Sequence, residues 1–296
     1  MKIHFKISYY THWGQRILVS GNIPELGNND FQKAWPLNFQ DKEDWSGEVD
    51  IAETNAAKLR YRYILLNEND GQFTEEWGEG RILSDTNNDI NEFYCFDQWN
   101  SPATVENTFL TAPFADVLLR DEHEVVVKKP LKTVTHVFRV KAPLMSLNQV
   151  VCLVGDCKPL GNWSTLKPVL LHKTAEGFWE KEINLSRGNG ATHYKYGVFD
   201  INEQRFCYFE AGPDRTAPDI KSKKTLVLLD DGFIRIHSQS WKGAGVGLPV
   251  FSIRTKQSFG VGDFGDLRLL TNWAVKVGLK LIQVLPLNDT IGTHTE

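Results

Sequence analysis

Val19-Ser20-Gly21-Asn22-Ile23-Pro24-Glu25-Leu26-Gly27-Asn28 returns in the same chain as Leu153-Val154-Gly155-Asp156-Cys157-Lys158-Pro159-Leu160-Gly161-Asn162. Gly21 and Gly155 stand 134 positions apart by subtraction, and so do Leu26 and Leu160, Trp45 and Trp179, and Arg81 and Arg215. Phe5 and Ile7 match Phe138 and Val140, and Tyr61-Arg62-Tyr63 matches Tyr194-Lys195-Tyr196, all within one residue of that spacing. A nearly constant offset of about one domain length implies a duplicated domain.

Each copy reads as all-β. Ile3-Phe5-Ile7 and Phe138-Val140 carry the every-other-residue apolar pattern of a first strand. Arg16 to Ser20 and Gln149 to Val154 are short runs rich in β-branched residues that end at Gly21 and Gly155. Trp45 to Ile51 and Trp179 to Leu185 alternate, with both tryptophans expected in a core or on a sheet face. Arg60 to Leu66 and His193 to Phe199 are aromatic-rich strands. Short strands about every ten residues, broken by Gly, Asn and Asp, predict a sandwich of roughly a hundred residues per copy. The boundaries are 1–99 and 133–236. Residues 100–132 hold Pro102, Pro113 and Pro130 and the run Arg120-Asp121-Glu122-His123-Glu124, which reads as a linker or insertion, with Asp116 to Val127 as a candidate final strand.

Residues 241–296 break the pattern. Trp241-Lys242-Gly243-Ala244-Gly245-Val246-Gly247 reads as a flexible stretch. Asp263 or Asp266 caps a predicted helix running to Val277, with Leu270, Trp273, Ala274 and Val277 on one face and Gly278 as its stop. Leu279 to Leu287 then reads as a mostly apolar strand of the parallel-sheet kind. One such strand has no ladder partner, so the expectation is a truncated domain. Gly260-Val261-Gly262-Asp263-Phe264-Gly265 fits the spacing of a dinucleotide loop, but a polar loop precedes it where that site needs a strand.

The bulk properties exclude several classes. The net charge of −4 offers no basic surface for nucleic acid. Met1-Lys2-Ile3-His4-Phe5-Lys6 has no signal-peptide core, and no apolar run is long enough to cross a membrane. Cys95, Cys152, Cys157 and Cys207 form no C-x-x-C pair and have no His cluster beside them, so no metal is expected. Reduced thiols suit a cytoplasmic protein. No cofactor is expected. Aromatic residues make up 11%, enough for cores with rings left over, and exposed rings suit the apolar C–H faces of a sugar.

Two resemblances then become specific. Ser258-Phe259-Gly260-Val261-Gly262-Asp263-Phe264-Gly265-Asp266-Leu267, Trp273 and Gln283-Val284-Leu285-Pro286-Leu287 resemble the start of the 4-α-glucanotransferases (amylomaltases) of glycoside hydrolase family 77. The continuation Asn288-Asp289-Thr290 is similar to the branch with long N-terminal extensions. That resemblance implies a (β/α)8 barrel with Leu279 to Leu287 as an early strand. Asn288 and Asp289 would then stand at the strand end where substrate is met, although Asp289 reads first as a turn residue. The family's nucleophilic Asp and acid/base Glu would lie downstream, so no catalytic residue is expected in these 296.

The two repeats resemble the starch-binding modules of carbohydrate-binding family 20, through Val19 to Gly27, Leu153 to Asp156 and Leu160 to Trp163. The resemblance implies an aromatic after the Leu-Gly turn, a Lys in the Tyr-x-Tyr strand and an aromatic after a later turn. Copy two has Trp163, Lys195 and Phe209 there; copy one has Asn29, Arg62 and Trp77. A second implied site uses an aromatic before the Gly that opens the second strand, filled by Trp13 in copy one but by Leu147 in copy two.

The fold expectation is therefore mainly β: two Ig-like β-sandwich starch-binding modules in tandem, then the start of a (β/α)8 barrel. The partners expected are starch, glycogen, amylose or malto-oligosaccharides. The implied activity is transfer of α-1,4-glucan segments by a retaining route, with this chain as the glucan-binding part. The alternative is a non-catalytic glucan-binding scaffold. Attachment of the modules to a phosphatase, dikinase or hydrolase is disfavoured by the Gln283 to Thr290 block.

Overall fold

The computed structural model describes residues 1–52, 59–83, 90–119, 134–185, 190–220, 222, 224–236 and 241–285. The chain divides into two units, Met1–Ser238 and Gln239–Glu296.

In the first unit the two copies repeat one strand order. Copy one has β1 (Lys2–Ser8), β2 (Gln15–Gly21), β3 (Trp35–Pro36), β4 (Asn38–Phe39), β5 (Asp44–Asp50), β6 (Leu59–Asn67), β7 (Gln72–Glu75), β8 (Arg81–Leu83) and β9 (Glu92–Gln98). Copy two has β10 (His136–Lys141), β11 (Gln149–Gly155), β12 (Val169–Leu170), β13 (His172–Lys173), β14 (Phe178–Ile183), β15 (Thr192–Asp200), β16 (Arg205–Phe209), β17 (Arg215–Ala217) and β18 (Thr225–Phe233). Each copy has one sheet of its own, β3-β2-β6-β7 with β8, and β12-β11-β15-β16 with β17. The other sheet is common to both, in the order β13-β14-β10-β18-β9-β1-β5-β4.

The closing strands make that continuity. β9 and β18 pair in parallel from Glu92↔Thr225 to Asp97↔Asp230. β9 is buried on the face of the first core and half-buried on the other, β18 is buried on both over Val227–Asp230, and their side chains alternate between two cores. Phe93, Cys95 and Leu228 enter the core built on Phe5, Tyr61 and Tyr63. Tyr94, Phe96, Val227 and Leu229 enter the one built on Phe138, Tyr194 and Tyr196. The two private sheets thus cover opposite faces of one shared sheet.

Each copy carries the same buried polar lock. Tyr61 and Tyr63 donate their hydroxyls to Asp97, at 2.9 and 2.7 Å, and Tyr194 and Tyr196 donate theirs to Asp231, both at 2.8 Å. Arg81 pairs with Glu76 and with Asp97, and Arg215 pairs with Glu210 and Asp231. Burial pushes the Asp97 carboxyl up to about 7 against the pull of Arg81. Glu210 is buried too, but hydrogen bonds from Arg215 and Arg235 hold its carboxyl at about 2. Arg81 also reaches across the seam to Asp230 at 3.1 Å. Asp230 and Asp231 are consecutive, so a strand turns one to each core.

Trp45 and Trp179 are core residues, as expected. Against expectation, Pro113–Leu118 is a helical turn, so Asp116 to Leu118 start no strand; among the described residues the last strand of copy one is β9. Its edge partner is supplied by the other copy, a long-range choice that local composition does not carry. The rest of the run to Val127 lies outside the described residues.

In the second unit, β19 (Gly245–Leu248) pairs in parallel with β20 (Leu281–Val284), with α1 (Phe264–Val277) between them in sequence. Gly245 to Gly247 is therefore strand rather than flexible stretch, and β20 does have a ladder partner. Position 245 must be glycine for this pairing, because a Cβ there would come 2.8 Å from the Leu281 carbonyl oxygen. Asp263 and Asp266 together form the capping box of α1, and Gly278 ends it at φ 79°. A strand, a helix and a parallel strand are the repeating unit of α/β folds.

Replacing Arg81 with Met leaves Glu76, Asp97 and Asp230 buried around a missing cation. Unfolding in urea should show a loss of about 3–5 kcal/mol. Arg16→Met, which breaks the exposed Arg16–Glu68 pair (3.1 Å), should cost less than about 1 kcal/mol. Equal costs would mean that the lock does not hold the seam.

Candidate functional site

The repeated turn is built on a contact between glycine and leucine. A Cβ on Gly21 would lie 2.8 Å from Leu26 Cδ1, and one on Gly155 would lie 2.6 Å from Leu160 Cδ1. Both leucines are fully buried. The strand end must therefore be bare so that the leucine can plug beneath it. The chain then climbs out through three left-handed residues. In copy one these are Gly27, Asn28 and Asn29, at φ 83°, 52° and 63°. In copy two they are Gly161, Asn162 and Trp163, at φ 77°, 48° and 63°. Glycine and asparagine tolerate this region, whereas a bulky residue there costs on the order of 1–3 kcal/mol. The two turns share a backbone, and only the second spends it on an indole.

Trp163 is half-buried, and its backbone N–H donates to the Gly155 carbonyl at 2.7 Å. Gly155 pairs with Tyr194, and the next ladder step pairs Val154 with Lys195. Trp163 thus emerges beside the strand that carries Lys195. Tyr194 and Tyr196 point into the core, so Lys195 projects from the outer face. Its ammonium donates to the Gly212 carbonyl at 2.7 Å and lies 3.5 Å from Asp214. Gly197, on the same face, pairs with Phe209. The Phe206 ring lies over Gly197, where a Cβ would come within 2.5 Å of it, and packs against Phe209 at 4.6 Å between centroids. Phe209 stays 39% exposed. Lys195 and Phe209 therefore share one sheet face. Phe206, which the sequence reading passed over, supports Phe209; the bare Gly197 beneath it was the available signal.

Copy one differs. Asn29 offers no ring, and Arg62 is engaged in an ion pair with Glu75. Trp77 is tied to Asn100: its backbone N–H donates to the Asn100 carbonyl at 2.8 Å, and Asn100 Nδ2 donates to the Trp77 carbonyl at 3.1 Å. Trp77 lines a cavity of about 780 Å³ shared with residues of copy two. Trp13 is fully exposed in the turn before β2, where Gly14 adopts φ 84°. Leu147 in the corresponding turn of copy two is 57% exposed. Asn288 and Asp289 lie outside the described residues.

All four cysteines are free thiols, with Cys95 and Cys152 buried. Burial pushes the Cys152 thiol up to about 12, so it is inert. Among the described residues no His, Cys, Asp or Glu group is arranged to hold a metal, and no helix is long and apolar enough to cross a membrane.

The starch binding domain family matches residues 1–91 and 133–227, and the 4-α-glucanotransferase family matches residues 248–296. The chain is 32% identical to the 4-α-glucanotransferase DPE2 of Oryza sativa subsp. japonica, over 97% of this chain and 31% of that protein. It is 56% identical to a 4-α-glucanotransferase of Chlamydia pneumoniae, over 16% of this chain and 9% of that one. Among solved structures, the family 20 module of a maltotetraose-forming amylase from Pseudomonas saccharophila is 20% identical (TM-score 0.28), covering 33% of this chain and 98% of that one. The chain thus spans less than a third of the length of these glucanotransferases. With both copies matched, over more than half of its length, the chain belongs to the starch binding domain family, and its C-terminal segment, residues 248–296, is similar to 4-α-glucanotransferases.

Proposed function

We propose that this chain is the glucan-binding region of a 4-α-glucanotransferase, that residues 241–296 open its (β/α)8 barrel, and that it works in the reducing cytoplasm suited to its four free thiols. The observation that carries the reading is Trp163: a large ring held in a left-handed conformation, next to the strand bearing Lys195. Nothing in the turn requires an indole, since the sister turn uses Asn29 at the same φ. Strain kept at one position marks a use for the side chain.

The outer face of copy two is the main platform. Trp163 and Phe209 offer flat apolar surfaces to the C–H faces of glucose rings, and Lys195 offers a charged donor to their hydroxyls. An α-1,4 chain curves, which suits rings set at an angle around a polar centre. A flat β-1,4 chain needs a coplanar row. Copy one, with Asn29 and an engaged Arg62, contributes the exposed Trp13 instead. The modules hold polymer near the transferase and raise its local concentration. On this reading the chain binds starch, glycogen or malto-oligosaccharides without turning them over, since the family resemblance assigns the carboxylate pair of a retaining transfer to none of its residues.

Trp163→Asn supplies the turn with the residue that its twin uses. It should leave urea stability equal to or above that of the parent while weakening β-cyclodextrin binding in calorimetry by about 1–3 kcal/mol. A loss of stability of core size with unchanged affinity would make the ring a packing residue. In affinity gels the chain should be retarded by amylopectin or glycogen and not by a soluble cellulose derivative. Equal retardation would remove the α-glucan assignment. With maltotriose it should form neither glucose nor longer chains.

A further inference from the structure

The shared sheet is wider than the private sheet of copy one, and the excess width leaves a cavity. Its floor is the face of β10 and β14 turned toward copy one, with Arg139, Lys141, Phe178 and Glu180. Its walls are the turn from Trp77 to Ile82 and the helical turns of residues 109–119. At about 780 Å³ it lies within the range of small-ligand pockets, ~300–1,000 Å³.

Polar atoms around this cavity are left without protein partners. Glu76 Oε2 and Asn100 Oδ1 are buried acceptors with no hydrogen bond among the described residues. Lys141 has no hydrogen-bond or ion-pair partner among them; its ammonium sits 5.2 Å from the Phe178 ring centroid and 5.6 Å from that of Phe233. Burial lowers the pKa of Lys141, as befits a poorly solvated ammonium. Unmade hydrogen bonds at buried groups are costly, and a bound molecule can make them.

The pattern selects the ligand. It must donate to a carboxylate and an amide oxygen, accept from an ammonium, and present an apolar face to Trp77 and Phe178. A phosphate or carboxylate suits the site less well, because it has no donor for Glu76 Oε2 or Asn100 Oδ1 and would compete with Glu79, Glu76 and Glu180 for Arg60, Arg81 and Arg139. A hydroxyl both donates and accepts, and a pyranose has apolar C–H faces.

We propose that this seam cavity is a separate carbohydrate site, which takes the end of a short linear α-glucan between the two modules, using Trp77 and Asn100 from the first and Lys141 and Phe178 from the second. The sequence reading grouped Trp77 with Asn29 and Arg62; here it works with the neighbouring module instead. The proposal rests on the glucan reading above. A chain end fits a cleft walled on several sides, whereas a closed ring of glucoses is confined to the open outer platform.

The test uses the full 296-residue chain with maltotriose and β-cyclodextrin in calorimetry. Lys141→Met should weaken maltotriose binding about fivefold or more and leave β-cyclodextrin affinity within about twofold. Trp163→Ala should do the reverse. In the parent, saturating maltotriose should slow amide exchange in residues 76–82 and 173–178, a measurement that needs no variant to fold. Parental maltotriose affinity in Lys141→Met, or unchanged exchange in those segments while β-cyclodextrin still binds, overturns the seam site alone. Binding of neither sugar by the parent overturns the glucan reading and the seam site together.

Discussion

The parallel pairing of β9 with β18 is the constraint on which the first unit depends. Parallel strands packed on both faces need apolar side chains in both directions, and Phe93 to Phe96 and Leu226 to Leu229 supply them, Tyr94 and Phe96 half-buried against the second core. Neither copy can cover these strands alone, because half of each strand's side chains belong to the other copy's core. Duplication has thus produced an interlocked pair rather than two beads on a linker. The polar lock follows the same logic. Asp231 completes the tyrosine and arginine cluster of its own copy, while Asp230, one residue earlier, faces the other way and meets Arg81. An extended strand places neighbouring carboxylates on opposite faces, so one dipeptide serves both cores.

Within that frame the copies have separated in chemistry without separating in backbone. The left-handed turn after Leu26 and after Leu160 is the same to within a few degrees at each residue. One copy fills its last position with Asn and the other with Trp. The outer face of copy two gains a ring, and beside it Gly197 makes room for Phe206 to brace Phe209. On copy one, Arg62 is spoken for by Glu75, and the aromatic weight moves to Trp13 and to Trp77 at the seam. The shared sheet is what makes the seam possible, since two freely jointed modules would not hold Trp77 opposite Phe178.

Much of this was legible in the sequence for a definite reason. The glycine and leucine of the turn are forced by contact distances, so they recur and expose the repeat. Trp45, Trp179 and the paired tyrosines follow from alternation. The helix Phe264–Val277 follows from its caps, Asp263 and Gly278. What was not legible depends on long-range pairing. The sequence does not mark β9 and points instead to Asp116 to Val127, because the partner that makes β9 a central strand lies more than a hundred residues away. β19 was missed because Gly245 and Gly247 read as flexible, although Gly245 is needed for close approach to Leu281. The seam cavity has no sequence signature, since Lys141 becomes notable only once it has no hydrogen-bond or ion-pair partner among the described residues.

The central claim is that the two copies share their stability through one sheet. Cys95 lies in the first core and Cys152 in the second copy's own sheet, and both are buried, so each reports on its own copy by thiol labelling in urea. The decisive measurement is pulsed labelling of both cysteines, read by mass spectrometry, in the parent and in Ile183→Ala, which opens a hole only in the second core. The account predicts that both cysteines become reactive at one urea midpoint and that Ile183→Ala lowers the two midpoints together. A Cys95 midpoint that stays in place while that of Cys152 falls would show two independent modules and contradict the shared sheet.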